Sequence, residues 1–512
     1  MSDPRRNVLY LLTDQHRVDT LGCYGNDVVR TPALDRLAAS GTRFDRWYTP
    51  TAICTPARAS LLTGSAPFRH KLLANYERNV GYQEELPDGQ FTFSRALRDA
   101  GYNAGLIGKW HVGTRKTAAD FGFDGTHLPG WHNPVDHPDY LAWLAERGLP
   151  AYEIGDQIRG TLPNGGPGNL LAARLRQPAE ATFEHYLADR AIELLQRYAE
   201  DRTLDGKPFF LGLHFFGPHL PYLLPDEYFD LYDPADVELP ASIAETFTDK
   251  PPVQRNYSAH WTFDTLPIEV SRKLIAVYWG YVTLIDLEIG RVLDAIDELG
   301  LADDTAVFFS SDHGEFTGAH RLHDKGPAMY EDIYRTAGLV RVPGLPAGQV
   351  DDHFVTLTDS TATILALAGL DPTPATDSRS LLPLLAGEQP RWAEDVVCEF
   401  HGHHFPYPQR MIRDERYKLV VNPESVNELY DLQTDPDELR NRYQHPEMVD
   451  VRRRLMRRLY DALVERGDNF HHWMTSMYDI GAVTYDPTLS GFDEAAYDTV
   501  ADSPGEKEEL SL

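Results

Sequence analysis

The chain has 512 residues, with 48 Lys plus Arg against 78 Asp plus Glu, a formal net charge of −30. Hydrophobic residues make up 42% and charged residues 25%, which is globular usage and not a disordered composition. This acidity excludes a general nucleic-acid binder, which needs a basic face, and argues against docking on an anionic membrane. An anionic substrate is admissible only where a local cationic pocket overrides the global field.

The first apolar run, Val8–Leu12, is too short for the core of a signal peptide and reads as a β-strand. Asp14 follows it. Helical spacing covers Thr31–Ser40 and Gln90–Ala100. Ala104–Ile107 is a second strand, followed by Lys109 and His111. The segment from Gly125 to Pro178 is rich in Gly, Pro, His and Trp and reads as an excursion over the sheet that shapes a substrate cleft. After a helix over Ala181–Tyr198 comes the strand Pro208–Phe216, with His214 and His219 at its end. A helix over Ser271–Glu298 leads to the strand Thr305–Ser310, then Asp312 and His313.

Strands alternating with helices predict an α/β fold with a mostly parallel sheet. Ligands of such sheets bind beyond the carboxyl ends of the strands, so four runs ending in chemically capable residues point to one shared site. Pro and Ser concentrate around Asp371–Arg391, which marks a boundary. We expect a catalytic domain over 1–385, a smaller α+β subdomain over 393–470 and an acidic extension over 471–512. That extension is a candidate to wrap the surface or join a second copy in a homo-oligomer. There is no apolar stretch of about 18 residues, so no membrane span is expected. Cys23, Cys54 and Cys398 form no disulfide framework, and a reducing, cytoplasmic location fits.

The sharpest local signal is Cys54-Thr55-Pro56-Ala57-Arg58. Pro56 suits the first turn of a helix and Gly64 its end. Cys54 then lies near a helix N-terminus, which favours an anion, and Arg58 lies one turn further on. Read alone, this is equally a buried cysteine in a helix cap.

Set beside the rest of the chain, the pentapeptide resembles the Cys-x-Pro-x-Arg signature of type I sulfatases, in which the cysteine is oxidised to formylglycine. Leu12 to Gln15, Gly108 to Gly113, Pro218 to Tyr222 and Ser311 to Glu315 are similar to that family too. So are Asp324 to Gly326 with Tyr330 to Asp332, and Glu428 to Leu432 with Asp435-Pro436. The motifs occur in the family's order between about residues 5 and 445. The resemblance implies an alkaline-phosphatase-like fold, a large mixed sheet between helices with a smaller C-terminal subdomain.

It also implies one divalent cation held by Asp14, Asp312, His313 and an oxygen of the modified Cys54. Gln15 stands where many sulfatases have a second Asp, and His313 where many have Asn; a carboxamide oxygen still suits a cation. Two carboxylates favour Ca²⁺, with Mn²⁺ or Mg²⁺ as alternatives, over zinc. Lys109 and His111 are two apart and share a face in an extended segment. With Arg58, His219 and Lys325 they would stabilise a dianionic transition state. Lys109 alone would read as a surface ion pair. Asn75, His401 and His403 are further substrate-binding candidates. The groups His313/His320/His323 and His401/His403/His404 match no zinc spacing.

The implied reaction is hydrolysis of an aryl, alkyl or carbohydrate sulfate ester. Metal and Arg58 activate one hydroxyl of hydrated formylglycine to attack sulfur, and His219 or Lys325 protonates the leaving oxygen. His111 then deprotonates the second hydroxyl, which expels sulfate. Maturation requires a formylglycine-generating enzyme as partner. Gln15 and His313 also occur in relatives that cleave phosphonate monoesters and phosphodiesters, which keeps that class open. The Lys109/His111 pair, often missing from those relatives, favours sulfate. If Cys54 stays unconverted, the chain reads as a catalytically silent oxyanion binder.

Overall fold

The computed structural model describes residues 5–81, 83–128, 130, 133–372 and 377–477. The acidic extension expected over 471–512 therefore falls, from 478 onward, outside the described residues. In chain order the strands are β1 (Asn7–Thr13), β2 (Thr42–Tyr48), β3 (Asn103–Lys109), β4 (His127–Leu128), β5 (Ile154–Thr161) and β6 (Pro167–Leu175). They continue with β7 (Phe209–His214), β8 (Tyr222–Pro225), β9 (Thr305–Ser311), β10 (Arg335–Arg341), β11 (Gln349–Asp351) and β12 (Val355–Thr356). The last are β13 (Asp395–His403), β14 (Phe405–Asp414), β15 (Tyr417–Val421) and β16 (Glu428–Asp431).

The main sheet has the order β11-β2-β10-β9-β1-β7-β3-β4, with β12 also on β2. β10 runs antiparallel to β2 and β9, and every other pairing in this sheet is parallel. β1 is buried along its whole length, as its unbroken apolar run requires of a central parallel strand. Alternation divides it: Leu9 and Leu11 face one core, Val8, Tyr10 and Leu12 the other. Against the first core pack α4 (Phe183–Asp205) and α5 (Ile268–Glu298), the latter burying Leu274, Val277, Tyr281, Ile285 and Ile289 at helical spacing. The second core receives α2 (Cys54–Thr63) and α3 (Phe93–Asp99). Near β2, Asp286 of α5 accepts bonds from the first backbone N–H groups of α1 (Pro32–Ala39), at Ala33 and Leu34. The fold is the expected α/β architecture.

The excursion from Gly125 to Pro178 is not all loop. β5 and β6 form an antiparallel hairpin, and β8 adds to β6 in parallel, giving a separate three-stranded sheet beside the main one. At the C-terminus β13–β16 form a four-stranded antiparallel meander. Its faces alternate in use. Cys398, Phe400, Met411 and Val420 pack toward Tyr330 and Tyr334 of the part that carries the main sheet, while Val397, Ile412, Leu419 and Val421 pack under α6 (Val449–Arg466). A buried ion pair joins the two parts, Lys418 to Glu331 at 3.3 Å, and Glu438, which pairs with Lys418 within the C-terminal part, accepts from Glu331 N at 2.7 Å. No helix among the described residues is long and apolar enough to cross a membrane.

Candidate active site

Four strand ends converge. β1 delivers Asp14 and Gln15, β3 delivers Lys109 and His111, β7 leads to His219, and β9 delivers Asp312 and His313. α2 points its N-terminus at the same place, with Cys54 as its first residue and Gly64 (φ 66) ending it. Thr55 N donates to Asn75 Oδ1 at 3.0 Å, so Asn75 caps the helix that carries Cys54. Gly108 (φ 99) is needed where β3 meets β7, because a Cβ there would collide with the His214 carbonyl oxygen.

Asp14, Cys54, Asp312 and His313 are buried and offer ligand atoms within 4.8 Å of one another. Cys54 Sγ lies 3.2 Å from His313 Nε2 and 3.9 Å from Asp14 Oδ1. His313 Nδ1 bonds the Gly314 carbonyl at 2.9 Å, so that nitrogen carries the proton and Nε2 presents its lone pair to the cluster. Two carboxylates and a lone-pair nitrogen make a donor set for a divalent cation. Arg58 bridges the carboxylates, Nε to Asp312 Oδ2 and Nη2 to Asp14 Oδ2, both at 2.9 Å, and Nη1 reaches the Lys109 carbonyl at 3.1 Å. Lys109 Nζ adds a 2.6 Å contact to Asp14.

Burial alone would raise the Asp14 carboxyl, but the charges of Lys109 and Arg58 against it outweigh that and hold it well below its ordinary range. Asp312 moves the other way, raised by burial and by the adjacent Asp14 charge. Burial also pushes the Cys54 thiol up to about 12, so the encoded side chain is a protonated thiol, a poor nucleophile.

Lys325 Nζ meets Gln15 Oε1 and His219 Nε2 at 2.9 Å and Asp324 Oδ1 at 3.0 Å, three acceptors for its three protons. Burial opposes its charge, and Asp324, Cys54 and Asp14 more than offset that, raising it. His219 donates from Nδ1 to the Leu220 carbonyl. Burial and the Lys325 charge lower it well below the ordinary histidine value. The pair is therefore a charged lysine and a neutral imidazole. His111 (φ 48) is buried, with neither ring nitrogen bonded among the described residues. Burial, Lys109 and Arg58 keep it neutral.

Other expected residues stand elsewhere. Gln15 (φ 64) turns its carboxamide to Lys325 and Glu315, and it is its backbone N–H that meets Asp312, at 3.2 Å. His401 bonds Glu399 at 3.0 Å and stacks on Phe68, apart from the cluster. His403 bonds Glu77 at 2.8 Å beside His404, on the Asp324 side of the site. His320 stacks on Tyr330 and His323 packs on Phe263, so neither joins His313.

Two supporting residues escaped sequence reasoning. Glu315 accepts from Gln15 Nε2, Thr317 N and Asp324 N, tying β9 to the Lys325 loop. Asp324 anchors Lys325. Both lie inside the motifs that carry the chemistry, which was the available signal.

Comparison with known proteins agrees with this geometry. Residues 6–370 match the family described as Sulfatase, and residues 318–465 match N-sulphoglucosamine sulphohydrolase, C-terminal. The chain is 29% identical to the uncharacterized sulfatase YidJ of Escherichia coli (strain K12), covering 92% of this chain and 90% of that protein. It is 31% identical to the multifunctional alkaline phosphatase superfamily protein PehA of Trinickia caryophylli, covering 85% and 91%. The crystal structure of the phosphonate monoester hydrolase of Agrobacterium radiobacter superposes with a TM-score of 0.76 at 25% identity, over 90% of this chain and 96% of that one. A signature cysteine heading a buried helix, set among two aspartates, a histidine and an arginine at the ends of parallel strands, is thus found in a chain whose greater part matches one family: this protein is a member of the sulfatase family.

Proposed function

We propose that the chain hydrolyses a sulfate ester to an alcohol and inorganic sulfate, using a formylglycine made from Cys54 and one divalent cation, Ca²⁺ in the first instance, with Mn²⁺ and Mg²⁺ as alternatives. The observation that carries this is the convergence of Asp14, Cys54, Asp312 and His313 with Arg58 and Lys109. A cation bound there would supply Lewis acidity, and the hydrated aldehyde two hydroxyls, one to attack sulfur and one to expel sulfate. Arg58 aligns the two carboxylates and adds positive charge beside residue 54. Lys109 is buried and sits against Asp14, ready to face ester oxygens. Neither ring nitrogen of His111 is bonded among the described residues, which leaves the lone-pair nitrogen of the neutral ring to take a hydroxyl proton. Lys325 holds the proton that the leaving oxygen needs, and His219, its neutral neighbour, orients it.

Gln15 favours a second reading, phosphonate monoester hydrolysis, because a carboxamide here replaces a carboxylate and is engaged with Lys325. Turnover of an aryl sulfate against an aryl phosphonate monoester separates the two, using protein whose residue 54 has been shown by mass spectrometry to have lost the thiol sulfur. A ratio far above one supports the sulfatase reading. A ratio far below one replaces it with the phosphonate reading, and no turnover of either by converted protein removes both.

A further inference from the structure

A cavity of about 250 Å³ opens between the β5–β6 hairpin and the loop carrying His219. Val135, Ile154, Leu170 and Leu223 line it and are each only half-buried, so their apolar faces are turned to empty space. Two further walls belong to the catalytic site. His219 is one, with Nε2 bonded to Lys325. Phe216 is the other, with Lys109 Nζ 5.7 Å from its ring centre. The cavity therefore adjoins the proton that the leaving oxygen would take. The lining is mostly apolar, its polar members being His219, Tyr152, Tyr281 and the amide of Asn133. Asn133 Nδ2 faces Glu184 at 3.2 Å, where Tyr281 OH also donates at 2.6 Å, and this fixes the amide orientation. Asn133 Oδ1 is left buried without a partner among the described residues, an acceptor awaiting a donor.

Resting on the ester-hydrolase reading, we propose that this cavity receives the alcohol part of the ester, and that the alcohol is an apolar ring system larger than benzene, bearing a hydrogen-bond donor that meets Asn133. Size and lining set the class. Benzene fills an apolar cavity of roughly 150 Å³, so this one has room for a second ring or a ring substituent. A sulfated sugar would press several hydroxyls against mostly aliphatic and aromatic walls with few polar groups, chiefly Asn133 and the Tyr152 hydroxyl, to satisfy them. The leaving oxygen lies toward His219 and Lys325, the ring body beyond it against Leu170 and Leu223, and the donor reaches Asn133.

The test compares kcat/KM for 2-naphthyl and phenyl sulfate, whose phenols have similar acidity, so that intrinsic reactivity cancels in the ratio. The converted enzyme is expected to favour naphthyl by at least tenfold, the scale on which apolar pockets discriminate. Leu170→Trp, which fills the cavity, is expected to bring the ratio to about one. Ile154→Ala, which enlarges it without overpacking, is expected to keep or raise the preference. A 6-hydroxy-2-naphthyl ester is expected to outperform 2-naphthyl by several-fold, an advantage lost in Asn133→Leu. A wild-type ratio near one overturns the proposal, as does a ratio that neither Leu170→Trp nor Ile154→Ala moves. The same ring pair offered as phosphonate monoesters keeps the two readings apart: naphthyl preference there, without sulfate turnover, refutes the sulfatase chemistry and leaves the cavity assignment standing.

Discussion

Arg58 is the most informative residue to remove. It is 2% exposed and makes two charge-assisted bonds, to Asp14 and to Asp312, plus one to the Lys109 carbonyl. In Arg58→Ala two buried carboxylates lose their shared cation, and Asp14 retains Lys109 while Asp312 keeps two backbone N–H donors, from Gln15 and His313. Breaking a buried pair from one side costs about 3–5 kcal/mol. For a chain of this length the unfolding entropy near 60 °C is about 1 kcal/mol per kelvin, so the melting temperature should fall by about 3–5 °C in chelator. Saturating divalent cation should shrink that shift, because the freed carboxylates gain a partner that binds the folded state. Activity should drop by about 10²–10³ in kcat/KM, the scale for losing one preorganised donor beside developing charge. Arg58→Lys keeps the charge but not the fork, and should recover stability better than rate. Scanning calorimetry with and without chelator, paired with aryl sulfate kinetics, reads both effects. An Arg58→Ala protein that melts with the wild type in chelator and turns over within a few-fold of it would refute this account.

Three further outcomes are expected. Cys54→Ser, which can attack but cannot expel sulfate, should release one equivalent of alcohol and stall, with the residue 54 peptide heavier by one sulfo group; repeated turnovers would count against the mechanism. Gly108→Ala should lower stability and activity together, since β7 must move to clear the His214 carbonyl, and a soluble variant with wild-type melting and rate would show that the approach is less tight than described. Burial acts to raise the Glu331 carboxyl, yet Lys418, Arg413 and Tyr48 hold it at about 2, below an ordinary value of 4.5. Its contribution to docking the C-terminal sheet is thus fully present above about pH 4.5 and lost as pH falls toward 2; melting of Glu331→Gln should depend less steeply on pH over that window, and an unchanged slope would argue against the ion pair.

Much of this was legible in the sequence because it is local. Each of the four apolar runs became a central strand, since a continuous run of β-branched and large apolar residues suits burial on both faces, and the polar residue after each run arrived at the shared site. Position, however, does not dictate direction. Gln15 follows Asp14 directly, yet its left-handed backbone turns the carboxamide to Lys325, 310 residues away. Asn75 was expected in the pocket and caps α2, because the first N–H groups of that helix need an acceptor wherever one is offered. His401 lies two residues from His403, but a register irregularity between Phe400 and Gly402 separates their surroundings, one on Glu399 and the other on Glu77. The β5–β6 hairpin lies in the segment expected as an excursion over the sheet, and it leaves little trace in hydropathy because β5 is mostly polar and β6 buries Leu171, Ala172 and Ala173 in succession, not in alternation.

The acidity of the chain and the anionic character of its substrate class are reconciled by the site itself. Arg58, Lys109 and Lys325 are each paired with a carboxylate of Asp14, Asp312 or Asp324, and His111, His219 and His313 are kept neutral mainly by burial. Three cations against three carboxylates leave no net attraction for an anion. The carboxylates proposed to hold the metal are the same ones that cancel Lys109 and Arg58, so a divalent cation on Asp14 and Asp312 would do two things at once: supply positive charge, and free Arg58 and Lys109 from carboxylate oxygens to face the ester. On the proposed metal site, anion affinity would be conditional on cation loading, and a protein of net charge −30 would present an electropositive pocket without a basic surface.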